Sequence, residues 1–283
     1  MSTFKRLIKR KVVIFSVAVI GIIVSSAIFA PLIAPFAPET QFREGLTLEG
    51  SPLGPNSKFI LGTDLLGRDL LSRLIYGART SLLIGLLANG VAVLIGTFFG
   101  IIAGFLRGRI GSAIMRFTDL MMAFPALLLA ITLSAIFSPS LFIVALVIAM
   151  VNWVQIARVV YTQTLSISEK EFIEASRSLG ATNTRILKCH ILPHLAPFIL
   201  VWSTLGISTT VLLEATLSYL GIGVRPPTPS WGNIIFENQT YFQTAPWLVF
   251  LPGLAIVMFA LSFNFLGDAL RDELDPTQRG REN

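Results

Sequence analysis

Charge is scarce in this chain of 283 residues, of which only 13% are Asp, Glu, Lys or Arg. Soluble domains carry about 25%, so a water-soluble globule is excluded. Cysteine is almost missing as well. Cys189 is the single one, which leaves no internal disulfide and no cysteine-rich metal site. His190 and His194, the two histidines, stand four apart beside it, a spacing that suits a helical chelate. Pro193 interrupts that helix, so no metal site is expected. No G-x-x-x-x-G-K-[ST] loop occurs, so the chain has no phosphate cradle of its own. No nucleophile–base constellation and no fixed-period repeat is present, and no catalytic residue is assigned.

What the chain has is apolar length: 53% hydrophobic residues and a mean hydropathy of +0.74. A bilayer-crossing helix needs roughly 20 mostly apolar residues. Six segments qualify, at 12–34, 81–106, 113–137, 141–160, 197–217 and 247–266. The first follows a basic tail of Lys5, Arg6, Lys9, Arg10 and Lys11. Its apolar run exceeds the roughly 7–15 residues of a secretory signal core, so it reads as a membrane anchor. With the N-terminus cytoplasmic and the six segments alternating, 16 lysines and arginines fall inside and 6 outside. That bias follows the positive-inside rule and places both termini in the cytoplasm. The formal charge of +6 therefore needs no nucleic-acid partner.

Residues 35–80 form an extracytoplasmic loop whose second half reads as an amphipathic helix lying on the outer interface. Leu65, Leu66, Leu70, Leu74 and Ile75 fall near one face, and Asp64–Arg68 and Asp69–Arg73 are spaced as i,i+4 ion pairs. The second span repeats small residues at every fourth position, including Gly96, Gly100, Gly104 and Gly108. Such a groove serves either helix packing within the bundle or a subunit interface. Glu214 lies inside the fifth span, where an ionisable group is costly and faces other helices or a water-filled path. It is a candidate both for helix pairing and for the translocation path. Asp119 follows Arg116 by three residues, which suits a local ion pair. Around the outer loop between Gly221 and Trp247, the aromatics Tyr219, Trp231, Tyr241 and Trp247 suit the headgroup level. The Asn238-Gln239-Thr240 match to a glycosylation acceptor is short enough to arise by chance.

The most structured polar stretch runs from 171 to 194, EFIEASRSLGATNTRILKCHILPH, on the cytoplasmic side. Ser168 with Glu171 three residues on has the spacing of a capping box. A short helix then ends at Gly180, a natural left-handed cap. A second short helix starts near Thr182, and Pro193 prevents its regular continuation. Two capped helices at an angle form an elbow suited to being gripped by another protein.

These residues resemble the membrane subunits of ABC importers, marked by E-A-A, three residues, G, nine residues, I-x-L-P. Glu174, Ala175 and Ser176 match the start, Gly180 the glycine, and Leu192 and Pro193 the end. Ser176 replaces alanine, and His190 stands where isoleucine is usual, as in the dipeptide, oligopeptide and nickel branch. LGTDLLGRDLLSRLIYGARTSL (61–82) and FNFLGDALRDELDP (263–276) resemble that branch too, so the likeness runs from about residue 59 to 276.

The resemblance implies an all-α polytopic fold of six transmembrane helices, the type I ABC importer transmembrane fold. Its parts are an anchor (1–34), the outer loop (35–80), a core transmembrane domain (81–267) with the elbow at 168–194, and a cytoplasmic tail (268–283). It implies the second, C-type, permease subunit in a bacterial or archaeal cytoplasmic membrane, half of a heterodimeric pore for di- or oligopeptides. Nickel or a glutathione-like solute is the alternative cargo. The implied partners are a homologous permease subunit, two ATP-binding subunits that hold ATP and Mg, an extracytoplasmic solute-binding protein and membrane lipid. The chain itself binds no cofactor and is no enzyme. In the family the elbow is the coupling helix, docked on the ATPase through Glu174, Ala175, Ser176, Gly180, His190, Leu192 and Pro193. A stand-alone secondary transporter, the reading from another class, predicts broken helices and inverted repeats, and none is visible in the sequence. A membrane scaffold without transport is the third class.

Overall fold

A computed structural model describes residues 10–137 and 140–274. Lys5, Arg6 and Lys9 of the basic tail, and Arg279 and Arg281 of the C-terminal one, lie outside the described residues. Apolar runs long enough to cross a bilayer satisfy their own backbone only as helices. The chain accordingly forms α1 (Lys11–Ile28), α2 (Leu70–Leu106), α3 (Gly108–Ala123), α4 (Ala126–Ile136) and α5 (Leu141–Ser168). The elbow helices α6 (Glu171–Ser178) and α7 (Asn183–Ile186) follow, then α8 (Leu192–Tyr219), α9 (Trp231–Asn238) and α10 (Trp247–Leu274). Five rods are long and apolar enough to span, and α3 with α4 forms a bent sixth.

The small-residue groove of α2 sets the topology. A Cβ built on Gly96 meets Ile156 and the Trp153 carbonyl, on Gly100 the Ala157 carbonyl and Val160, and on Gly104 Thr164 and the Tyr161 carbonyl. Contacts that advance together mean that α2 and α5 run parallel. The chain between them must therefore recross the membrane, and α3 and α4 do so jointly. The other contacts are antiparallel. Gly85 and Gly206 of α2 and α8 face Val211 and Asn89 respectively, and Gly267 of α10 faces Leu205 of α8. Arg10 pairs with Asp272 at 2.7 Å, joining the start of α1 to the end of α10.

The structure corrects four local expectations. The third span is not one rod, because α3 and α4 meet at 88°. Pro125 has no N–H to donate and pushes Phe124 to extended backbone (φ −86°, ψ 135°). A broken span is thus present, and unbroken helices are no argument against a secondary transporter. The amphipathic helix of the outer loop is not a separate interfacial element: α2 begins at Leu70 and runs 37 residues into the span. Asp69 caps it, its Oδ2 accepting the Ser72 N–H at 2.8 Å and the Ser72 hydroxyl at 2.7 Å. Ser168 caps nothing. It is the last residue of α5, and Lys170 precedes α6 without a side-chain cap, because the ladder of α5 already holds the chain through Ser168. Pro193 does not end the second elbow helix either. A π-helical turn at Leu187–Ile191 absorbs the missing donor, and one continuous 37-residue rod runs Asn183–Tyr219.

On the side opposite the elbow, the outer side by the lysine and arginine bias, residues 35–69 fold into a cap rather than a floppy loop. Asp64 and Arg68 do pair, at 2.6 Å, but across a turn. Arg73 turns away from Asp69 to Glu237 at 2.5 Å and Asp64 at 3.3 Å, and Arg68 reaches Glu237 at 2.9 Å. Asn238 is buried, its amide donating to the Ile234 carbonyl and its Oδ1 accepting from the Leu65 N–H, so the glycosylation match is inaccessible. Trp231 is also inside, stacked edge-on against Phe259 and donating to the Leu74 carbonyl at 3.2 Å, not at the headgroup level.

Candidate functional site

The elbow is held from below by apolar residues. Ile173 of α6, Ile186 of α7, Ile191 and Leu195 are fully buried in one cluster with Val160 and Ile167 of α5. A fully buried aliphatic side chain contributes about 1.5–3 kcal/mol, so the two arms move with the spans that bear them. The bend is a Schellman motif. Gly180 N–H donates to the Arg177 carbonyl at 2.9 Å and Ala181 N–H to the Ser176 carbonyl at 3.0 Å. Gly180 has φ +82°, where an L side chain clashes with its own backbone. Thr182 then caps α7, its hydroxyl accepting the Arg185 N–H at 3.4 Å.

The two departures from the family pattern touch each other. Ser176 Oγ donates to the Phe172 carbonyl at 2.8 Å and lies 3.4 Å from His190 Nε2. Phe172 stacks on His194, ring centres 5.1 Å apart. The histidines brace one arm against the other through Phe172 and Ser176. The opposite face is bare: Glu174, Ala175 and Gly180 are exposed and Leu179 is 89% exposed. Leu192 and Pro193 are exposed where α8 begins. Arg107, at the turn into α3, pairs with Glu169 at 3.2 Å, tying the elbow's start to the inner end of α2.

The remaining predicted residues lie elsewhere. Gly96, Gly100 and Gly104 face α5 of the same chain. Gly108 departs from the groove: it sits at φ +53° in the α2–α3 turn, with open space around it. Glu214 is fully buried near the outer end of α8. Its Oε2 accepts from Ser81 of α2 at 2.9 Å and its Oε1 from Ser218 at 2.7 Å. That arrangement pairs helices, and Glu214→Leu, which strips both serines of their acceptor, is expected to destabilise the chain by roughly 1–3 kcal/mol. The thermal melting of the purified protein measures it.

Two groups escape a reading of the sequence. Glu237 joins the outer cap 164 residues away from Arg73, and nothing local announces it. Asp119 pairs with Arg158 of α5, not with Arg116, because α3 packs against α5 and brings that arginine within reach.

Residues 96–280 match the family of binding-protein-dependent transport system inner membrane components. Residues 2–50 match the N-terminal transmembrane domain of oligopeptide transport permease C. A di/tripeptide transport system permease protein of Pseudomonas aeruginosa is 43% identical over 90% of this chain and 84% of its own. A dipeptide permease of Alkalihalophilus pseudofirmus is 40% identical over 98% and 89%. A glutathione transport system permease of Pectobacterium atrosepticum is 36% identical over 96% and 89%. The inward-facing methionine ABC transporter MetNI superimposes with a TM-score of 0.62 at 19% identity, over 73% of this chain and 98% of that one, which shows the transmembrane fold of a type I ABC importer. The chain belongs to the binding-protein-dependent family of ABC importer permeases, the inner-membrane components of such transport systems.

Proposed function

We propose that this permease is the C-type half of a heterodimeric pore that imports di- and oligopeptides, driven through its elbow by separate ATPase subunits. The observation that carries the reading is the elbow itself, buried on one side among α5 and α8 and bare on the other at Glu174, Ala175, Leu179 and Gly180. An ATPase that closes on ATP pulls this bare face, and the buried isoleucines pass the displacement to two spans. ATP and Mg reside on two ATPase subunits, a homologous permease supplies the other half of the pore, and an extracytoplasmic binding protein delivers cargo. Sixteen basic residues on the elbow side against six opposite support cytoplasmic termini in a bacterial or archaeal inner membrane. Peptide cargo is supported by the names of the two dipeptide relatives. A glutathione-like tripeptide is the second reading, favoured by the glutathione permease at 36% identity.

Gly180→Trp is the test. The left-handed position strains any side chain, and a bulky one fills the docking face. Peptide uptake by proteoliposomes of the assembled transporter is expected to fall at least tenfold while basal ATP hydrolysis persists. Native uptake overturns the coupling role. Glu174→Lys is expected to weaken ATPase retention in a pull-down, and unchanged retention together with normal uptake counts against it.

A further inference from the structure

Polar side chains are exposed along one face of the inner half of α5. Arg158 is ten residues from the inner end of a 28-residue helix, about 15 Å at 1.5 Å per residue, which places it in the elbow-side half of the rod. Gln155, Arg158 and Thr162 are exposed there at helical spacing. On α2 the same depth, fixed by the contact of Gly96 with Ile156, exposes Leu94 (72%) and Phe98 instead. A charged, exposed side chain at that level is not lipid-facing, and faces water or protein.

Two cavities lie end to end along α3 beside this strip. One, of about 510 Å³, is lined by Arg107, Ser112, Arg116, Asp119 and Tyr161. The next, of about 260 Å³, is lined by Met121, Phe124, Pro125, Val151 and Gln155. Asp119 lines the first cavity, and in its pair with Arg158 the two side chains are 54% and 46% exposed. The α3–α4 break opens onto the second cavity. Ala126, Leu127 and Leu128 form the first turn of α4, where amides have no intrahelical partner, and Pro125 supplies no side-chain cap. Unpaired backbone at membrane depth is tolerated where it lines a polar cavity, and broken helices mark transport sites.

We infer that the groove between α3 and the inner half of α5 is a segment of the cargo path, in which the Asp119–Arg158 pair opens to take the charged ends of a peptide zwitterion. This rests on the peptide-importer reading above. Asp119 receives the peptide's ammonium, and Arg158, aided by Arg116 in the lining of the first cavity, receives the carboxylate. Each charge exchanges one partner for another, so neither is stranded in a low dielectric. Gln155 and the free amides of the break meet the peptide bond, whose carbonyl and N–H would otherwise cross the membrane unpaired.

Thiol accessibility in the assembled transporter tests this. In a Cys189→Ser background, which removes the one exposed native thiol, Gln155→Cys and, separately, Thr162→Cys are exposed to 2-sulfonatoethyl methanethiosulfonate from the ATP side. Both are expected to react at least tenfold faster than Leu94→Cys at the same depth, and reaction at Gln155→Cys is expected to stop dialanine uptake. Asp119→Asn is expected to lower dialanine uptake at least tenfold while ATP hydrolysis stimulated by the binding protein stays within twofold. A merely structural pair would lower both together. Asp119→Glu, which keeps the charge, is expected to restore uptake. Equal reactivity at Gln155→Cys and Leu94→Cys, or native uptake by Asp119→Asn, overturns the path. Failure of the unsubstituted assembly to import dialanine with ATP overturns the peptide reading instead, so the two failures are separable.

Discussion

Gly100→Leu is expected to abolish the folded permease. A Cβ at residue 100 already stands 2.6 Å from the Ala157 carbonyl oxygen and 2.7 Å from Val160 Cβ. Neither is the free end of a flexible side chain, so α2 and α5 would have to separate along their contact. Ordinary overpacking of a core costs about 1–3 kcal/mol, and a clash with backbone belongs at or above the top of that range. The loss should appear as aggregated protein in detergent, with little of the chain recovered in the monodisperse fraction. Gly90→Ala on the same helix meets nothing within 4 Å and is expected to leave that fraction unchanged. Recovery of well-folded Gly100→Leu protein would mean that α2 and α5 are not packed as described.

Arg73→Met carries the second largest effect. The guanidinium is fully buried and serves Glu237 at 2.5 Å and Asp64 at 3.3 Å. Removing it leaves the carboxylates of Asp64 and Glu237 to share Arg68 alone, so one buried charge goes uncompensated, at a cost of about 3–5 kcal/mol. The apparent melting temperature of the purified transporter should fall by on the order of 10 °C. Combining it with Glu237→Gln relieves the stranded charge, so the double substitution should be less destabilised than the sum of the two single ones by about 0.5–3 kcal/mol. Strict additivity would show that the four charges do not act as one cluster. The cluster also explains the order of the outer cap, because it fastens residues 64–73 to α9 on the far side of the sequence.

Much of the architecture was legible in the chain's composition. Apolar length marked the spans, and the fourfold spacing of Gly96, Gly100 and Gly104 marked a close helix contact. Gly180 was legible as a left-handed cap, and the Schellman bonds of the elbow agree. These signals are local: each depends on a periodicity, or on a conformational preference of one residue, and needs no knowledge of the rest of the fold. The elbow motif drew on family resemblance in addition, and of its residues Ser176 and His190 touch.

Other features depended on partners distant in sequence. Asp69 has two options at i+3 and i+4, capping Ser72 or pairing with Arg73, and local spacing cannot choose between them. Glu237, brought to Arg73 by α9, removes the arginine from the competition. Asp119 likewise had Arg116 within reach but meets Arg158 once α3 lies against α5. Ser168 had the spacing of a cap, yet the long ladder of α5 overrides it. Pro193 and Pro125 both lack a donor, but one is absorbed in a π-helical turn and the other breaks a span at 88°. The difference lies in their surroundings: buried Ile186, Ile191 and Leu195 hold the first rod together, whereas a cavity beside α5 receives the second break.

By itself, then, the sequence determined that this protein is a helical membrane subunit with a capped polar elbow, since apolar length and a left-handed glycine are properties of contiguous residues. Tertiary structure alone decided which charges pair, where the third span bends and which face of α5 stays polar and open. Those outcomes depend on competition among partners far apart in the chain, and the competition is settled only when the helices pack.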